Sequence, residues 1–294
     1  MGRNIFVTML MCCIGWTCSA DILTLKIPLA RSQHDISYDY HTKLLAAAIE
    51  RGSEGKHTAS FIAEVDMHEG RATRELIKGE NLDVFWMGTD YSKEQQLRAV
   101  PIPTTRGLIG FRKFVIRKQD IGKFARINTI ERLRELTACQ GTGWPDTLIL
   151  RNAQIKVATT PALENIYKML AAGRCDFFPR GYHDHQKELQ LRAEQYPTLL
   201  SYQGIMLHYP FAVYFFTSLE NAELASWIEK GLDMMIDSGE FQLHMQTHEL
   251  TRDVFPLGKE ADVRAISVKN VILSEGTDYS NERYWFQPKD FGLK

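Results

Sequence analysis

The stretch VPIPTTRGLIGFRKFVIRK, residues 100–118, decides the fold. Its second half, GFRKFVIRK at residues 110–118, alternates like a strand, which predicts solvated basic side chains divided between two faces. We expect the whole stretch to be extended. Strands in globular proteins are usually about 3–10 residues long, so such a run exceeds what one compact unit needs. It therefore predicts a crossing strand that leaves one folded lobe and enters another.

A second long extended stretch, GIMLHYPFAVYFF at residues 204–216, predicts the return crossing. The two crossings divide the chain into lobe one, residues 21–108 and 209–294, and lobe two, residues 109–208. The tail from about residue 252 has weak signals, and we expect it to pack on lobe one as loops and short helices. Two crossings between two lobes predict a hinge.

Strand-like and helix-like segments alternate within each predicted lobe. In lobe one, the apolar runs ILTLKIPL (22–29) and LDVFWMG (82–88) enclose the helical pattern YHTKLLAAAIERG (40–52). In lobe two, LTACQ and CDFFPRG (175–181) enclose ALENIYKMLAAG. Continuous apolar strands separated by helices are typical of parallel sheets covered on both faces. The sequence therefore predicts an α/β fold of two lobes, each a mainly parallel sheet flanked by helices.

The amino-terminal segment MGRNIFVTMLMCCIGWTCSAD has the pattern of a secretory signal. Arg3 precedes an apolar run from Ile5 to Trp16, and Cys18-Ser19-Ala20 follows with small residues at both positions that a signal peptidase reads. A buried first strand is the alternative interpretation. We expect residues 1–20 to be a signal peptide, cleaved after Ala20, that delivers the protein to the periplasm.

The charge balance argues against nucleic acid as a partner. The chain has 35 Lys and Arg against 36 Asp and Glu, for a formal net charge of -1, which gives no electrostatic basis for binding nucleic acid. No later stretch approaches the ~18 apolar residues that cross a bilayer. We expect neither nucleic-acid binding nor membrane insertion, and we expect a monomer.

Two cysteines, Cys139 and Cys175, remain after removal of the predicted signal peptide. An exported chain with one pair can form one disulfide. Each cysteine lies near the start of a lobe-two strand, and these strands are expected to be neighbours. A bridge and two buried free thiols are both open interpretations.

The sequence offers no sign of a metal, a cofactor or a catalytic centre. His183 and His185 flank an aspartate in a polar stretch, a pattern more typical of a protein surface than of a metal site. Gly-x-Ser-x-Gly, phosphate-loop and His-Glu-x-x-His motifs do not occur. We therefore predict no metal, no cofactor and no enzymatic activity.

Candidate ligand-binding residues follow from the position of the predicted strands. Open parallel sheets bind ligands beyond the carboxyl ends of their strands. This rule selects Trp86 and Thr89 in lobe one, and two turns of lobe two, GTGWPDT (141–147) and FPRGY (178–182). We expect these segments to face each other across a cleft.

The glycine turn combines features that suit a small polar ligand. Flexible glycines such as Gly143, with Thr142 beside it, bring backbone amides close to a ligand, at the positive end of a helix dipole. Trp144 supplies an apolar face for stacking. Asp146 either caps a helix that begins at Thr147, which we favour, or accepts a hydrogen bond from the ligand.

Arg180 follows a strand end, where its guanidinium can grip a carboxylate with two hydrogen bonds. A salt bridge to Asp176 or Asp184 is the alternative. Arg106, at the start of the first crossing, faces either the cleft or the solvent.

Two further candidates lie at the end of the third strand of lobe one. Trp86 is expected near the mouth of the cleft. Thr89 either contacts the ligand or caps a helix or turn.

Several segments in the same order resemble bacterial periplasmic solute-binding proteins, most closely the family-3 amino-acid-binding type. They are the signal-like amino-terminal segment, ILTLKIPL, LIKGENLDVFWMGT, the long stretch at residues 100–118, ALENIYKMLAAGRCDFF and NAELASWIEKGLDMMIDSGEF. The resemblance implies two α/β lobes, a ligand held in the cleft, and delivery to a membrane transporter or sensor.

The chain also departs from the pattern of that family. Thr89 matches the threonine that, in amino-acid binders, is followed by a Glu-Arg pair whose arginine binds the ligand. In this chain Glu94 is followed by Gln95 instead of an arginine. The nearest arginine, Arg98, is displaced by three positions. In lobe two, Arg180 lies near the position where the family is expected to carry an aspartate.

These observations lead to one expected function and two alternatives. The resemblance implies an exported protein that closes on a small polar or zwitterionic, amino-acid-like solute and delivers it to an inner-membrane permease of the ABC type. The first alternative is an accessory protein that senses a ligand for a membrane receptor. A hydrolase acting from the cleft is a distant third.

Overall fold

The computed structural model describes residues 20–30, 35–63, 67, 69–258 and 263–293. Apart from Ala20, the predicted signal peptide lies outside these ranges. Within them, no helix combines the length and apolar character that crossing a membrane requires.

Lobe one contains a parallel pair of strands and an antiparallel trio. Its first elements are β1 (Asp21–Lys26), α1 (Ile36–Gly52), β2 (His57–Ile62), α2 (Glu69–Lys78), β3 (Phe85–Gly88), α3 (Tyr91–Gln96) and β4 (Arg98–Val100). β1 pairs with β2, and the Asp83 amide donates to the Lys26 carbonyl at 2.9 Å, which places β1 beside β3.

Lobe two is built on a six-stranded sheet. Its elements are β5 (Phe111–Arg117), α4 (Ile121–Phe124), α5 (Ile130–Arg134), β6 (Thr137–Gly141), α6 (Pro145–Asn152), β7 (Lys156–Thr160), α7 (Leu163–Ala171), β8 (Phe177–Gly181), α8 (His185–Gln190) and β9 (Leu199–His208). β6 runs parallel to β7 and β8, whereas β5 runs antiparallel to β8 and β9. The sheet is thus parallel except for a strand that enters the lobe from the hinge.

The chain then returns to lobe one through β10 (Val213–Thr217), α9 (Ala222–Ser238) and α10 (Glu240–Thr247). β10 lies between β3 and β4 and runs antiparallel to both. α9 packs on α1 at two glycines, since a Cβ on Gly231 would lie 1.8 Å from the Ala48 carbonyl oxygen and one on Gly52 1.8 Å from that of Trp227. Only glycine permits this approach of two helix backbones.

Neither crossing is the single extended strand that the sequence predicts. Between β4 and β5 the chain forms turns and a 3-10 turn at Leu108–Gly110, with Arg106 and Gly107 at φ of 51° and 72°. Pro101 and Pro103 lack the amide hydrogens that a continuous strand would use. The return is likewise interrupted between His208 and Val213, around Pro210.

The two connections lie against each other. The Thr104 amide donates to the Val213 carbonyl at 3.0 Å, and the Tyr209 amide donates to the Gly110 carbonyl at 3.2 Å. A Cβ on Gly110 would lie 2.3 Å from the Tyr209 carbonyl oxygen, so glycine is needed there. We refer to this pair of adjacent connections between the lobes as the hinge.

The carboxyl-terminal tail serves both lobes. β11 (Arg264–Ser267) pairs in parallel with β9 at the edge of the lobe-two sheet. The prediction that the whole tail packs on lobe one is therefore wrong for these residues. Beyond β11 the tail returns to the hinge, where the Phe286 amide donates to the Arg106 carbonyl at 2.9 Å and the Phe291 ring lies 4.2 Å from that of Phe111.

A disulfide links Cys139 of β6 to Cys175, just before β8, with 5.6 Å between the Cα atoms. Both cysteines are buried in the core on one face of the lobe-two sheet, with Val115 and Phe178. The opposite face carries a second core, which includes Ala138 and Phe177.

Candidate functional site

The carboxyl ends of the parallel strands β6 and β8 lie side by side, since Ala138 pairs with Phe177. We call this end of the lobe-two sheet its carboxyl edge. The glycine turn follows β6, with the Trp144 amide donating to the Gly141 carbonyl at 3.2 Å and Gly143 at a φ of 81°. Thr142 and Gly143 are exposed. The turn therefore presents backbone to the solvent at the strand ends.

Trp144 and Arg180 come together at this edge. The Trp144 ring folds back over Gly141, where a Cβ would lie 2.3 Å from the indole. The Arg180 guanidinium carbon lies 5.6 Å from the Trp144 ring centroid, within the range of cation–π contacts. Arg180 thus helps to hold the half-buried ring in place.

The charge of Arg180 is compensated by carboxylates of its own lobe. Its Nε and Nη2 donate to Glu188 at 2.8 and 2.6 Å, and Nη2 lies 3.3 Å from Asp184. Burial alone would lower the pKa of Arg180, but the two carboxylates outweigh burial and raise it. Asp184 is therefore one of its partners, whereas Asp176 instead bonds Lys123 at 2.5 Å.

Asp146 does not cap its helix. α6 begins at Pro145, two residues before the predicted start, and Trp144 occupies the N-cap position. The Asp146 carboxylate instead pairs with the Arg112 guanidinium and accepts a hydrogen bond from the Tyr209 hydroxyl. The predicted cap is wrong because Pro145 sets the first turn and leaves Asp146 directed towards β5.

Arg112 was not selected from the sequence. The alternation of residues 110–118 predicts a solvated strand, but β5 lies between β8 and β9 and every residue of it is buried. Arg112 is 1 % exposed and Lys113 fully buried. The prediction is wrong because alternation does not reveal that a strand is covered on both faces.

Of the lobe-one candidates, Trp86 lies within β3 and Thr89 directly follows its last residue. The Trp86 ring stacks on His41 with 5.2 Å between centroids, meets Tyr38 edge-on at 5.7 Å, and is half-buried. Thr89 is fully buried, and its hydroxyl donates to the Glu94 carboxylate. The residue that caps α3 is Asp90, so the alternative of Thr89 as its cap is wrong.

Arg106 lies apart from the strand ends. Its Nη2 donates to the Glu282 carbonyl at 2.6 Å, and its guanidinium carbon lies 4.6 Å from the Phe286 ring centroid. Together with Gln242 and Leu257 it lines a cavity of about 450 Å³ beside the tail. Burial lowers the pKa of Arg106. The Arg106 guanidinium is thus bound to the carboxyl-terminal tail of the chain.

Two buried side chains at the edge of lobe two were also missed. Gln140 is 1 % exposed, and within the described part of the chain its Nε2 has no hydrogen-bond partner. The same holds for Nδ1 of His183, whose Nε2 lies 3.4 Å from Asp184. The sequence places His183 on the surface because its neighbours are polar, and nothing in the sequence singles out Gln140.

The fold is shared with solved binding proteins and with a sensor domain. An ancestral arginine-binding protein bound to arginine superposes with a TM-score of 0.54 at 15 % identity over 78 % of this chain and 99 % of its own. An amino acid ABC transporter substrate-binding protein from Streptococcus pneumoniae, bound to L-arginine, gives 0.54 at 13 % identity over 78 % and 93 %. A histidine kinase sensor domain with similarity to periplasmic binding proteins gives 0.55 at 15 % identity over 78 % and 96 %.

No protein-family model and no curated protein matches the sequence. The structural similarities, at low identity, establish the two-lobed periplasmic-binding-protein fold.

Proposed function

We propose that this protein, whose fold is that of periplasmic binding proteins, is exported to the periplasm and closes its lobes around a small polar or zwitterionic, amino-acid-like solute. It delivers this solute to an ABC-type permease of the inner membrane. The observation that carries the proposal is the pair of adjacent connections between the lobes, with half-buried Trp86 in β3 of lobe one and half-buried Trp144 in the glycine turn of lobe two. A ligand that contacts both lobes only in the closed state shifts the hinge equilibrium towards closure.

The proposed contacts come from four of the residues selected by sequence. Trp86 covers the ligand from lobe one, and Trp144 covers it from lobe two. The exposed backbone amide of Gly143 donates a hydrogen bond to it, as amides at a helix start can, and exposed Thr142, whose own amide donates to the Thr160 carbonyl, lies beside it. The other four candidates, Thr89, Arg106, Asp146 and Arg180, bond to groups of the chain itself and support the site indirectly.

A sensory role is the second candidate, and the position of Arg98 favours it. This is the arginine nearest to the place where amino-acid binders grip the ligand carboxylate. Its Nη2 donates instead to the Leu219 carbonyl at 2.9 Å, on an exposed part of lobe one. A protein that does not bind the carboxylate of its solute through this arginine is as compatible with an accessory role at a receptor as with a role in transport.

The proposal is tested by thermal-shift screening of purified residues 21–294 against amino acids, small carboxylates, amides, polyols and polyamines. A solute that binds only the folded state raises the Tm. We expect Trp144→Ala to weaken binding of such a solute at least tenfold. Leu148→Ala, on an exposed position of α6, is the matched control and leaves binding unchanged.

Three outcomes separate the candidates. If no compound raises the Tm, solute binding is refuted. If deletion of the gene abolishes cellular uptake of the identified solute, the protein serves transport, whereas unchanged uptake favours sensing. Turnover of the solute that Trp144→Ala abolishes would identify an enzyme instead.

A further inference from the structure

Charged side chains at the carboxyl edge of the lobe-two sheet already have partners of opposite charge. Arg112 pairs with Asp146, and Arg180 pairs with Glu188 and Asp184. Diverting one member of a buried pair to a ligand leaves the other charge uncompensated, which is strongly destabilising. An ionic group of a ligand therefore gains little from these residues.

Gln140 offers an unsatisfied donor at the same edge. Its Oε1 accepts from the Gly141 amide at 3.2 Å, which fixes the orientation of the side-chain amide, since the flipped form would set two donors against each other. Nε2 is thereby the free end, buried and without a partner in the described residues. A buried donor in this state calls for an acceptor.

His183 offers an unsatisfied acceptor. Burial lowers the pKa of His183, so the ring is neutral at physiological pH. Its Nε2 lies 3.4 Å from the Asp184 carboxylate, which assigns the single proton to that nitrogen. Nδ1 then carries a lone pair that has no partner among the described residues.

The two groups lie on the same face of the sheet. Ala138 pairs with Phe177, so the alternation of side chains places Gln140 on the face that also carries Phe177 and Gly181. A Cβ on Gly181 would lie 2.7 Å from Asp184 Oδ2 and 3.3 Å from His183 Cε1, so the Asp184 carboxylate and the His183 imidazole cover this face of β8 where a side chain is missing. A donor and an acceptor thus occupy the ends of adjacent parallel strands.

We propose that Gln140 and His183 form a subsite for a neutral ligand group that both accepts and donates a hydrogen bond, such as a carboxamide or a hydroxyl. An ammonium group cannot accept from Gln140, and a carboxylate cannot donate to His183 and would meet Asp184. The subsite deepens the proposed function, on which it rests, by selecting amides and polyols over acids and amines.

The first test uses the unmodified protein, residues 21–294, and pairs of compounds that differ in one group. Glutamine is compared with glutamate and asparagine with aspartate, alongside lysine, glucose and inositol, by thermal shift and calorimetry. We expect an amide or a polyol to bind, and an amide to bind at least tenfold more tightly than its acid. Tighter binding of an acid or of lysine would overturn the subsite while leaving solute binding intact.

The second test changes the donor. Gln140→Glu replaces Nε2 by an acceptor of the same size, and we expect at least tenfold weaker binding of the preferred amide or polyol. Gln186→Glu, on the exposed side of α8, is the matched control and leaves affinity unchanged. Unchanged affinity in Gln140→Glu and in His183→Phe would overturn the assignment. Absence of binding by every compound, including those of the wider screen, would refute the proposed function itself.

Discussion

The Arg112 guanidinium and the Asp146 carboxylate form an ion pair whose side chains are only 2 % and 7 % exposed. The pair joins β5, the strand that enters lobe two from the hinge, to the first turn of α6, which follows the glycine turn. The Tyr209 hydroxyl, from the second connection of the hinge, donates to the same carboxylate. One carboxylate therefore fixes the glycine turn relative to both connections.

Asp146→Ala is expected to lower the free energy of unfolding by about 3–5 kcal/mol, because it leaves the Arg112 charge buried without a counter-ion. Urea denaturation monitored by circular dichroism measures the change. The double variant Arg112→Met/Asp146→Leu should lose less than Asp146→Ala alone. Glu54→Gln, which breaks an exposed pair with Lys230, is the control and should leave the midpoint unchanged. A loss no larger than that of the control would contradict the prediction.

Gly231→Ala is expected to destabilise the protein by at least about 2 kcal/mol, because its methyl group would meet the backbone of Ala48 and force α1 and α9 apart. Thermal unfolding measures the effect. Gly122→Ala is the matched control, since a Cβ there meets nothing within 4 Å, and its Tm should be unchanged or slightly higher. Equal stability of the two variants would show that the helices do not cross at this glycine.

His208 gives stability a specific dependence on pH. Burial lowers the pKa of His208 to about 4, whereas the unfolded chain has the ordinary value of 6.5. The unfolded state therefore binds more protons between these values, so this contribution is complete above pH 6.5 and is lost as the pH falls towards 4. We expect His208→Gln to reduce the loss of stability between pH 7 and pH 5 by about 1–2 kcal/mol, measured by urea denaturation at both values. Parallel pH profiles for variant and wild type would rule this out.

Reduction of the Cys139–Cys175 bond opens a loop that spans a sequence separation of 36 residues. Such a loop predicts a loss of about 4 kcal/mol in the free energy of unfolding. Urea denaturation with and without dithiothreitol measures it. The variant Cys139→Ala/Cys175→Ala should be insensitive to the reductant, and a wild type equally insensitive would argue against the bridge.

The sequence predicted the two-lobed α/β fold because its signals are local or periodic. The apolar run at residues 82–88 and the helical pattern at residues 40–52 correspond to β3 and α1. The interruptions of the crossings and the pairing of β11 with β9 depend on contacts between distant segments. Local patterns do not report such contacts.

Two of the candidate residues chosen from the sequence lie in contact, whereas the partners of the charged candidates were mostly not predicted. Strand ends and the glycine turn selected Trp144 and Arg180, which are in contact. Glu188 and Arg112 were not predictable as partners, because they reach Arg180 and Asp146 only through the packing of helices α8 and α6 against the folded sheet. Gln140 and His183 become candidates only because each has a buried polar atom with no hydrogen-bond partner among the described residues.

The path of the tail has a consequence for how the molecule unfolds. β11 belongs to the lobe-two sheet, whereas residues on either side of it pack against lobe one. Unfolding of either lobe therefore removes contacts that the tail makes with the other lobe. Heating should therefore give one cooperative calorimetric peak, with no separate transition for either lobe.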